Sequence, residues 1–566
     1  MQNDPGAVWE AGVLRSARFG DVYASRQGAL AQSRAVFLGG CGLPQRWAGR
    51  RRFTVGELGF GTGLNMLALL QLWQQHRPEG ATLHLFSIDG FPLAAADARR
   101  ALEPFPELAQ IATPLLAGWP KGARGLHRIR WPELGATLDL MVGDVGEALA
   151  GWDGKADAWF LDGFSPAKNP EMWSEALLAQ VAAHTAPGGR AATWSVAGAV
   201  RRGLEAGGFD VSRQPGFGHK SERLEARFPG VAAEPPQPRV AIIGAGIAGA
   251  SLARAFADFG LTAHIFAQGP MASGNPAALV TPRLAAGSGD GAALHALAFR
   301  RAVQRIRESA PEAIIAQGVR RLLSESETAR AVATVESGLF DAGSLTLDGD
   351  GMRMAEALVV SPDRLRAAWL PAVEERRVEA LPEGFDILVV AAGIESAALA
   401  GVHLRAVRGQ ASFADLPMEA PPTSWGGYLI PTDTGLLFGA THDRGDTGWE
   451  VRDADNARNL EGLARRFPRL AARLAETPLS AAAGVRAATG DHQPLAGEVR
   501  AGLFVLTGLG GRGFTLAPLL AEHVAAQALS LPSPLSLPMQ RLVSPARAGV
   551  AGAALSSPSA AAPAAA

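Results

Sequence analysis

The chain has 566 residues, 48% hydrophobic and 19% charged, which is the balance of a globular protein with more than one domain. Its net charge of −1 argues neither for nor against a polyanionic partner, and its single cysteine, Cys41, excludes an intrachain disulfide or a thiolate metal cluster. Without an apolar run of ~20 residues or a secretion signal, we expect a cytoplasmic monomer with no metal and no membrane partner.

Two Gly-rich loops, at 56–65 and 240–250, each follow an apolar run and precede a helical pattern. Their sequences differ, so they predict two nucleotide sites and not an internal repeat. The stretch FPGVAAEPPQPRV between them has four prolines and no periodic apolar face, which is typical of a linker. We therefore predict four segments: a first domain over 1–232, a linker over 233–238, a second domain over 239–545, and a disordered Ala-rich tail over 546–566.

The first loop reads GELGFGTGLN, with Glu57 ahead of Gly59, Gly61 and Gly63. Glycines at these positions let the backbone approach a ligand closely where the chain turns from a strand into a helix. NAD is one possible ligand. The order E-x-G-x-G-x-G, with the acid ahead of the glycines, resembles class I methyltransferases more than dehydrogenases, and that resemblance implies S-adenosylmethionine.

Three further apolar runs of this domain end in acids, namely Asp89, Asp144 and Asp162. The carboxyl ends of parallel strands meet at one edge of a sheet, where ligands of such folds bind. Asp89, at the end of the second strand, is placed to accept hydrogen bonds from ribose hydroxyls. The alternative for each acid is a simple helix cap. Four strand ends behind a Gly-rich loop favour a cofactor site.

The string DGFSPAKNP follows the fourth strand and places Asp162, Phe164, Pro166 and Asn169 beside the predicted methyl donor. A carboxylate, an aromatic face and a rigid proline suit N-methylation of an amine. A primary amine has a pKa near ~10, and only its free base can attack a sulfonium methyl. We expect Asp162 to orient the amine and take up its proton, and we expect the other three side chains to bind the substrate.

The second loop, VAIIGAGIAGA, places Gly244, Gly246 and Gly249 in a G-x-G-x-x-G pattern between a strand and a helix. The next strand ends in Ala267 and not in the acid that usually holds a dinucleotide ribose. This departure weakens NAD as the ligand and leaves the ribose contact to another group, for which Gln268 is the candidate.

Three later segments favour a flavin. They are a buried strand running into a small-residue turn (385–396), a turn behind Arg486 (484–497), and a strand, Gly-rich turn and helix (502–527) that carries Gly510 and Gly511. Together they resemble FAD-dependent oxidoreductases of the D-amino-acid-oxidase type over nearly the whole second domain. The resemblance implies an α/β fold throughout: a class I (Rossmann-like) methyltransferase domain, followed by an FAD-binding Rossmann domain with a mixed α+β substrate subdomain.

The glycine-oxidase branch of that family implies roles for three residues of the second domain. The arginine matching Arg486 binds the substrate carboxylate, an arginine near Arg512 lines the same pocket, and the strand tyrosine matching Tyr428 assists. An arginine fork pairs bidentately with a carboxylate, so the chemistry agrees. The alternative for a lone strand tyrosine is simple packing.

Taken in this order, the two halves resemble the family of bifunctional tRNA 5-methylaminomethyl-2-thiouridine biosynthesis proteins over about residues 10–540. The strings ELGFGTGLN, DAWFLDGFSPAKNPEMW, ASGNP, VRGQ and GLGGRGFTLAPLLAE carry this resemblance. It implies FAD-dependent removal of the carboxymethyl group from 5-carboxymethylaminomethyluridine at the tRNA wobble position. N-methylation of the resulting 5-aminomethyluridine would follow. Gln32, Cys41 and the string HKSERLEARF depart from the family and concern substrate contacts.

Two alternatives remain open at this point. One is a fused oxidase and methyltransferase for free small amines such as glycine or sarcosine. The other is a non-catalytic tRNA-binding scaffold that retains the cofactor folds. The near-zero net charge favours small amines, because tRNA binding needs phosphate neutralisation. A local cluster, Arg46 with Arg50, Arg51 and Arg52, would supply it, although we interpret that cluster as solvated surface.

Overall fold

A computed structural model describes residues 6–23, 28–218, 220–234, 236–285, 287–418 and 420–547. Of the predicted tail, residues 548–566 lie outside the described part. The chain opens with a small antiparallel sheet, formed by β1 (Ala7–Glu10), β2 (Val13–Ser16) and β3 (Asp21–Val22). This sheet contributes Val13, Arg15 and Asp21 to the wall of the first cofactor cavity described below.

The first domain is built around an eight-stranded sheet with helices on both faces. Its strands are β4 (Arg52–Leu58), β5 (Thr82–Asp89), β6 (Gly125–Trp131), β7 (Ala136–Val142), β8 (Ala156–Leu161), β9 (Thr185–Thr193), β10 (Asp210–Pro215) and β11 (Glu222–Arg227). Its helices are α1 (Ala29–Ser33), α2 (Leu64–His76), α3 (Ala95–Leu102), α4 (Ala109–Ala117), α5 (Val145–Gly151), α6 (Glu175–Ala183) and α7 (Gly198–Ala206).

The sheet order is β10-β11-β9-β8-β4-β5-β7-β6, and the five central strands, β9 to β7, run parallel. The remaining strands pair antiparallel at the two edges. Strand β4 lies at the centre, where the chain order of the strands reverses. Ligands of doubly wound sheets bind at such a switch point, and the Gly-rich loop at 56–65 leaves the sheet there. The predicted Rossmann-like methyltransferase fold is confirmed.

The second domain combines two sheets. Its strands are β12 (Val240–Ile243), β13 (His264–Ala267), β14 (Ala278–Val280), β15 (Ile314–Leu322), β16 (Leu345–Asp348), β17 (Gly351–Val360), β18 (Val373–Glu375), β19 (Ile387–Val390), β20 (Arg405–Ala414), β21 (Thr423–Ser424), β22 (Tyr428–Pro431), β23 (Leu436–Gly439), β24 (Asp443–Arg444), β25 (Ser480–Ala488), β26 (Leu495–Arg500) and β27 (Leu503–Thr507). Its helices are α8 (Ile247–Asp258), α9 (Asp290–Ser309), α10 (Glu325–Val335), α11 (Pro362–Trp369), α12 (Ser396–Ala400), α13 (Asp453–Ala464), α14 (Pro468–Ala475), α15 (Gly513–Ala528) and α16 (Leu537–Val543).

One sheet has the order β18-β13-β12-β19-β27-β26, with the first five strands parallel, and it forms the dinucleotide half of the domain. The other is a ten-stranded, mostly antiparallel sheet that contains β20, β22 and β25. Helix α15 packs against α8 and α9 and joins the two halves. The predicted combination of an FAD-type Rossmann half with a mixed α+β half is confirmed.

A buried ion cluster joins the two domains. Arg128, on β6, donates to Asp139 of its own domain at 2.6 Å and to Glu522, on α15 of the second domain, at 2.9 Å. Burial alone would raise the pKa of Glu522, but the neighbouring arginines hold it well below its usual value. The cluster also contains the pairs Arg301–Glu522, Arg305–Glu522, Arg305–Asp258 and Arg130–Asp258. Paired charges are therefore part of the contact between the domains, beside apolar side chains such as Leu126.

The segment 228–239 contains no helix or strand among its described residues, as a linker would. It is nevertheless fastened to the first domain, because Glu234 accepts from Arg50 at 3.1 Å and from the backbone N–H of Arg51 at 3.3 Å. Arg46 donates to the carbonyl oxygens of Asp157 and Gly188, both at 2.9 Å. The basic cluster predicted to be solvated surface is therefore largely used to hold the linker and neighbouring loops. The division at 232 and 239 stays a prediction.

Candidate active sites

The loop between β4 and α2 has the backbone geometry of a close ligand approach. Gly59 and Gly63 have φ angles of 89° and 76°, which favour glycine. A Cβ on Gly59 would lie 2.9 Å from the carbonyl oxygen of Asp162, so the loop also packs tightly on the end of β8. Gly61 donates its N–H to the Asp89 carboxylate at 2.9 Å. These contacts fix the loop over the carboxyl edge of the sheet.

The acids at the strand ends line one cavity of about 1270 Å³. Asp89 accepts from the N–H of Gly61 and of Phe91, at 2.9 and 2.8 Å. Asp144 caps α5 by accepting from the N–H of Glu147 at 2.9 Å, so the capping alternative holds for this residue even though it also lines the cavity. The predicted residues among the lining are Gly59, Gly61, Asp89, Asp144, Asp162, Phe164 and Asn169; Glu57, Gly63 and Pro166 are not among them.

The Asp162 carboxylate is held by three donors at the end of β8. Trp194 Nε1 and the Gly163 N–H donate to Oδ1, and Asn65 Nδ2 donates to Oδ2, each at 2.9 Å. Burial raises the pKa of Asp162, which strengthens it as a base. The carboxylate is therefore fixed in position and able to take up a proton.

Asn65 connects Asp162 to a second carboxyl group. Its Oδ1 accepts from Ser33 Oγ at 2.7 Å, which turns both protons of Nδ2 towards Asp162 and towards Glu57 at 3.0 Å. Glu57 is fully buried and also accepts from Ser87 Oγ at 2.6 Å. Burial raises the pKa of Glu57 to about 8. Sequence reasoning missed the bridging role of Asn65, although the residue stands within the string ELGFGTGLN.

Aromatic rings form the cavity wall around Asp162. The Phe164 ring lies 4.9 Å from that of Phe19 and 5.2 Å from that of Tyr23, measured between centroids. The ammonium of Lys220 lies 3.3 Å from the centroid of Trp194, and burial lowers the pKa of this lysine. The Lys220 ammonium therefore makes a cation–π contact with Trp194, which shows that this ring can bind an amine cation. Sequence reasoning identified Phe164 but not Trp194 or Lys220.

The loop between β12 and α8 has the geometry of a dinucleotide turn. Gly244 has φ 113°, and a Cβ there would lie 2.4 Å from the carbonyl oxygen of Ala391. A Cβ on Gly249 would lie 1.8 Å from the carbonyl oxygen of Gly244, so only glycine allows this contact of helix and strand. Gly246 precedes α8, and Ser273 of the ASGNP string accepts from the N–H of Ile247 at 3.2 Å. These residues fit a bound pyrophosphate.

Gln268 follows β13, where a ribose-binding acid would stand. Its side chain is exposed, and its Oε1 accepts from the backbone N–H of Arg377 at 3.0 Å. The Nε2 donors of the amide have no recorded partner in the described structure. A ribose contact from Gln268 stays a prediction.

Arg486 lies on β25 beside the Gly-rich turn at 510–512. Its Nη2 donates to the carbonyl oxygen of Thr441 at 3.0 Å, and a Cβ on Gly511 would lie 3.6 Å from its Nη1. A Cβ on Gly409, in the string VRGQ, would lie 1.7 Å from Nη2. Burial lowers the pKa of Arg486, and no carboxylate pairs with it among the described residues. The turn and Gly409 leave room for this guanidinium.

Arg512 follows β27 of the dinucleotide half, and Tyr428 begins β22 of the ten-stranded sheet. Burial, together with Arg283 and Arg321, lowers the pKa of Arg512 to about 10. Burial raises the pKa of Tyr428 to about 12, and Arg486 is close enough to oppose that rise. Within the described part of the chain, Arg512 also has no carboxylate partner. Arg486 and Tyr428 are close enough to interact electrostatically, and a shared substrate pocket of Arg486, Arg512 and Tyr428 stays a prediction.

No described helix is long and apolar enough to cross a membrane. In the described ranges of the chain, no group of three or more His, Cys, Asp or Glu side chains is arranged to hold a metal ion.

Comparison with known proteins agrees with this geometry. Residues 106–229 match the family model described as S-adenosyl-L-methionine-dependent methyltransferase, and residues 239–527 match that of FAD dependent oxidoreductase. The chain is 51% identical to the tRNA 5-methylaminomethyl-2-thiouridine biosynthesis bifunctional protein MnmC of Caulobacter sp. strain K31, over 96% of this chain and 98% of the relative. The chain belongs to this bifunctional family. It carries an S-adenosylmethionine-dependent methyltransferase domain and an FAD-dependent oxidoreductase domain.

A further relative and a solved structure are also similar to this chain. The family member from Maricaulis maris is 41% identical over 91% of this chain and 90% of its own length. Among solved structures, glycine oxidase from Geobacillus kaustophilus aligns with a TM-score of 0.45 and 21% identity, covering 53% of this chain and 97% of that one.

Proposed function

We propose that this bifunctional enzyme completes the side chain of the tRNA wobble uridine in two steps. The oxidoreductase domain oxidises the C–N bond between the amine and the carboxymethyl group of 5-carboxymethylaminomethyluridine. Water hydrolyses the resulting imine, which releases glyoxylate and leaves 5-aminomethyluridine. The methyltransferase domain then methylates that primary amine. The observation that carries this proposal is that a site built around Asp162 and a site built around Arg486 occur together in a chain that covers 98% of the length of a family member.

The cofactors supply the bond-making chemistry: bound FAD accepts a hydride from the substrate carbon, and bound S-adenosylmethionine provides the methyl group. The protein must position the substrate. Among the described residues Arg486 donates one bond, to the carbonyl oxygen of Thr441, so its other N–H groups can bind the glycine-derived carboxylate. Arg512 lines the pocket and adds positive charge. We propose that the Tyr428 hydroxyl, which stays protonated at neutral pH, donates to the same carboxylate.

In the methyltransferase site, the product of the first step arrives as an ammonium. Asp162 accepts a hydrogen bond from it, and the raised pKa of this carboxyl allows it to take up the proton. Asn65 and Trp194 hold the carboxylate while this happens. Phe164, Pro166 and Asn169 are the proposed substrate contacts, and Trp194 offers an aromatic face to the amine. The free-base nitrogen can then attack the methyl donor.

We propose the remaining cofactor contacts from the positions of the residues in the two Gly-rich loops and at the ends of the neighbouring strands. The loop glycines Gly59 and Gly61 approach the methyl donor, Asp89 binds its ribose and Asp144 lines the site. Gly63 and the buried Glu57 do not line the cavity and support the loop from behind it. On the FAD side, the loop glycines Gly244, Gly246 and Gly249 face the pyrophosphate, and Gly510 and Gly511 face the flavin. We also propose tRNA as the partner, action as a monomer, and a cytoplasmic location.

A second candidate function is action on free small amines. Its support is that the most prominent basic cluster in the sequence, Arg46 with Arg50 to Arg52, is largely occupied by internal contacts. Phosphate neutralisation by this cluster is therefore reduced, which favours a small substrate over a polyanion.

The two functions are distinguished by nucleoside analysis of tRNA carrying 5-carboxymethylaminomethyluridine. We expect the enzyme with FAD alone to convert it to 5-aminomethyluridine with stoichiometric glyoxylate, and added S-adenosylmethionine to give 5-methylaminomethyluridine. Unchanged tRNA nucleosides alongside oxidation of free glycine would reject the tRNA function and support the small-amine one.

A further inference from the structure

A second cavity, of about 450 Å³, opens at the start of α9 in the oxidoreductase domain. It shares no lining residue with the methyl-donor cavity, and none of its residues has a role in the two reactions proposed above. Its lining comes from four parts of the chain: the segment after β14, the first turns of α9, one position on α10, and one in the turn after β25. The lining residues are Arg283, Ala285, Gly289, Asp290, Gly291, Ala292, His295, Arg330 and Gln493.

His295 in this cavity carries a hydrogen-bond donor without a partner. Its Nε2 lies 2.8 Å from Nη1 of Arg283. A guanidinium can only donate, so Nε2 must accept and the ring proton must sit on Nδ1. His295 is 3% exposed, and its buried Nδ1 has no partner in the described structure. Burial, Arg283 and Arg512 lower the pKa of His295 to about 3, which keeps the ring neutral. A buried N–H of this kind calls for an acceptor.

The charges around the cavity favour an anion as that acceptor. Neither Arg283 nor Arg330 forms an ion pair with any described carboxylate. The N–H groups of the first turn of α9, a helix of 20 residues that begins after Gly289, have no partner within the helix and carry its positive dipole end. Among the lining residues Asp290 is the single acid, and it is exposed to water. Two guanidinium groups, a neutral N–H donor and a helix N-terminus together suit an anion with several oxygens.

Two residues that line the cavity lie within electrostatic range of Arg512. Arg283 and His295 both interact electrostatically with Arg512, which lines the proposed substrate pocket. Arg330 is exposed, so a large ligand can reach it from outside. We propose that this cavity is a phosphate subsite that binds a backbone phosphodiester next to the uridine whose side arm is oxidised. The inference rests on the proposed tRNA function and assigns to this cavity one contact with the tRNA backbone.

The subsite can be tested with a synthetic anticodon stem-loop RNA that contains 5-carboxymethylaminomethyluridine. Binding to the FAD-loaded enzyme is measured by fluorescence anisotropy at several salt concentrations. For Arg330→Ala we expect a several-fold higher Kd and a salt-dependence slope reduced by about 1, as for the loss of one phosphate contact. Asp290→Asn should lower Kd, because it removes a repelling charge. Arg307→Ala, at the other end of α9, is the matched control and should leave both quantities unchanged.

A charge-neutral methylphosphonate at the linkage on either side of the uridine identifies the phosphate. At one linkage it should weaken binding to the wild-type enzyme several-fold, yet cause no further loss with Arg330→Ala. Inorganic phosphate should compete only weakly with the stem-loop; if it saturates the cavity at millimolar concentration while both methylphosphonates have no effect, the ligand is free phosphate and the RNA assignment fails.

Other outcomes also overturn the inference. Unchanged Kd and salt slope for Arg330→Ala would do so, as would loss of FAD absorbance in Arg283→Ala, which would assign the cavity to the flavin. If the wild-type enzyme binds the stem-loop and oxidises its uridine, these results reject the subsite alone. If the wild-type enzyme does neither, the tRNA function itself is wrong.

Discussion

The two reaction centres of this protein use buried charge in opposite ways. In the methyltransferase domain the Asp162 carboxylate is held by three protein donors at 2.9 Å. In the oxidoreductase domain Arg486 gives one recorded hydrogen bond, to a carbonyl oxygen, and has no described carboxylate partner. The three donors hold the Asp162 carboxylate in one position, from which it can accept a proton from the substrate. The buried guanidinium of Arg486, in contrast, gains a counter-charge only when an anionic substrate binds.

Neutralising Asp162 tests this difference between the two sites most directly. We expect Asp162→Asn to lower kcat/KM for methylation by about 10²–10⁴-fold, because the amide cannot accept the amine proton. Oxidation of the carboxymethyl group should stay at the wild-type rate. Nucleoside chromatography would show 5-aminomethyluridine accumulating in the presence of S-adenosylmethionine. The reciprocal control is Arg486→Ala, which should block oxidation but still methylate RNA that already contains 5-aminomethyluridine.

The guanidinium of Arg486 can be moved by a substitution at a neighbouring residue, while Arg486 itself is kept. Gly409→Ala puts a methyl group 1.7 Å from the present position of Arg486 Nη2, so the guanidinium must move. A displacement of about 1 Å in a positioning group costs roughly 10²-fold in rate, and we expect a loss of that size in kcat/KM for oxidation. Gly462→Ala on α13 is the matched control, since a Cβ there meets nothing within 4 Å. Equal activity of the two variants would show that Arg486 does not bind the carboxylate.

The interdomain ion cluster shows a third way of using buried charge, because its arginines and acids pair with each other. Glu522→Gln removes the buried counter-charge of Arg301 and one of the two buried acids that pair with Arg128, which keeps Asp139. It should lower the free energy of unfolding by about 3–5 kcal/mol. Urea unfolding followed by tryptophan fluorescence measures this. Glu205→Gln removes an exposed helix pair with Arg201 and should cost no more than about 0.5 kcal/mol.

The same cluster sets the expected response to acid. Burial alone would raise the pKa values of Asp139, Asp258 and Glu522, but their arginine partners lower them in the folded protein. A depressed carboxyl pKa stabilises the fold above the unfolded value near ~4 and loses that contribution as the pH falls through the folded value. We therefore expect the urea midpoint to drop below pH ~4, and to drop less steeply in Glu522→Gln.

The smallest effect should come from the second acid of the methyl-donor site. Because burial raises the pKa of Glu57 to about 8, this carboxyl is mostly neutral at pH 7. Glu57→Gln replaces it with a neutral group of similar shape, so the Kd for S-adenosylmethionine at pH 7 should change less than about threefold. Isothermal titration measures the Kd, with Asp89→Asn as the more damaging comparison. A large loss in Glu57→Gln would show that the residue is ionised in the protein.

The sequence predicted the parts of both sites that follow from local pattern. Apolar runs ending in Asp89 and Asp162, and glycines at fixed spacing around Gly244, are properties of neighbouring residues, and the structure places them as expected. Asn65 and Trp194 were missed as partners of Asp162 because they come from a helix and a strand end that only the folded sheet brings together.

The interdomain contacts were also beyond the sequence. Arg128 and Glu522 are 394 positions apart, and nothing in either surrounding pattern distinguishes them from solvated charges. The basic cluster around Arg50 shows the same difficulty, since its use in holding Glu234 depends on where the linker lies. Charges can be located in a sequence, but their partners are set by tertiary packing.

The central claim is that two independent sites act in series on one uridine. The most direct test mixes Asp162→Asn with Arg486→Ala, FAD, S-adenosylmethionine and tRNA carrying 5-carboxymethylaminomethyluridine, and follows the nucleosides over time. We predict that each variant alone yields no 5-methylaminomethyluridine, whereas the mixture forms it after 5-aminomethyluridine appears. Failure of the mixture, when both variants are folded and loaded with cofactor, or loss of both steps in a single variant, would contradict the account.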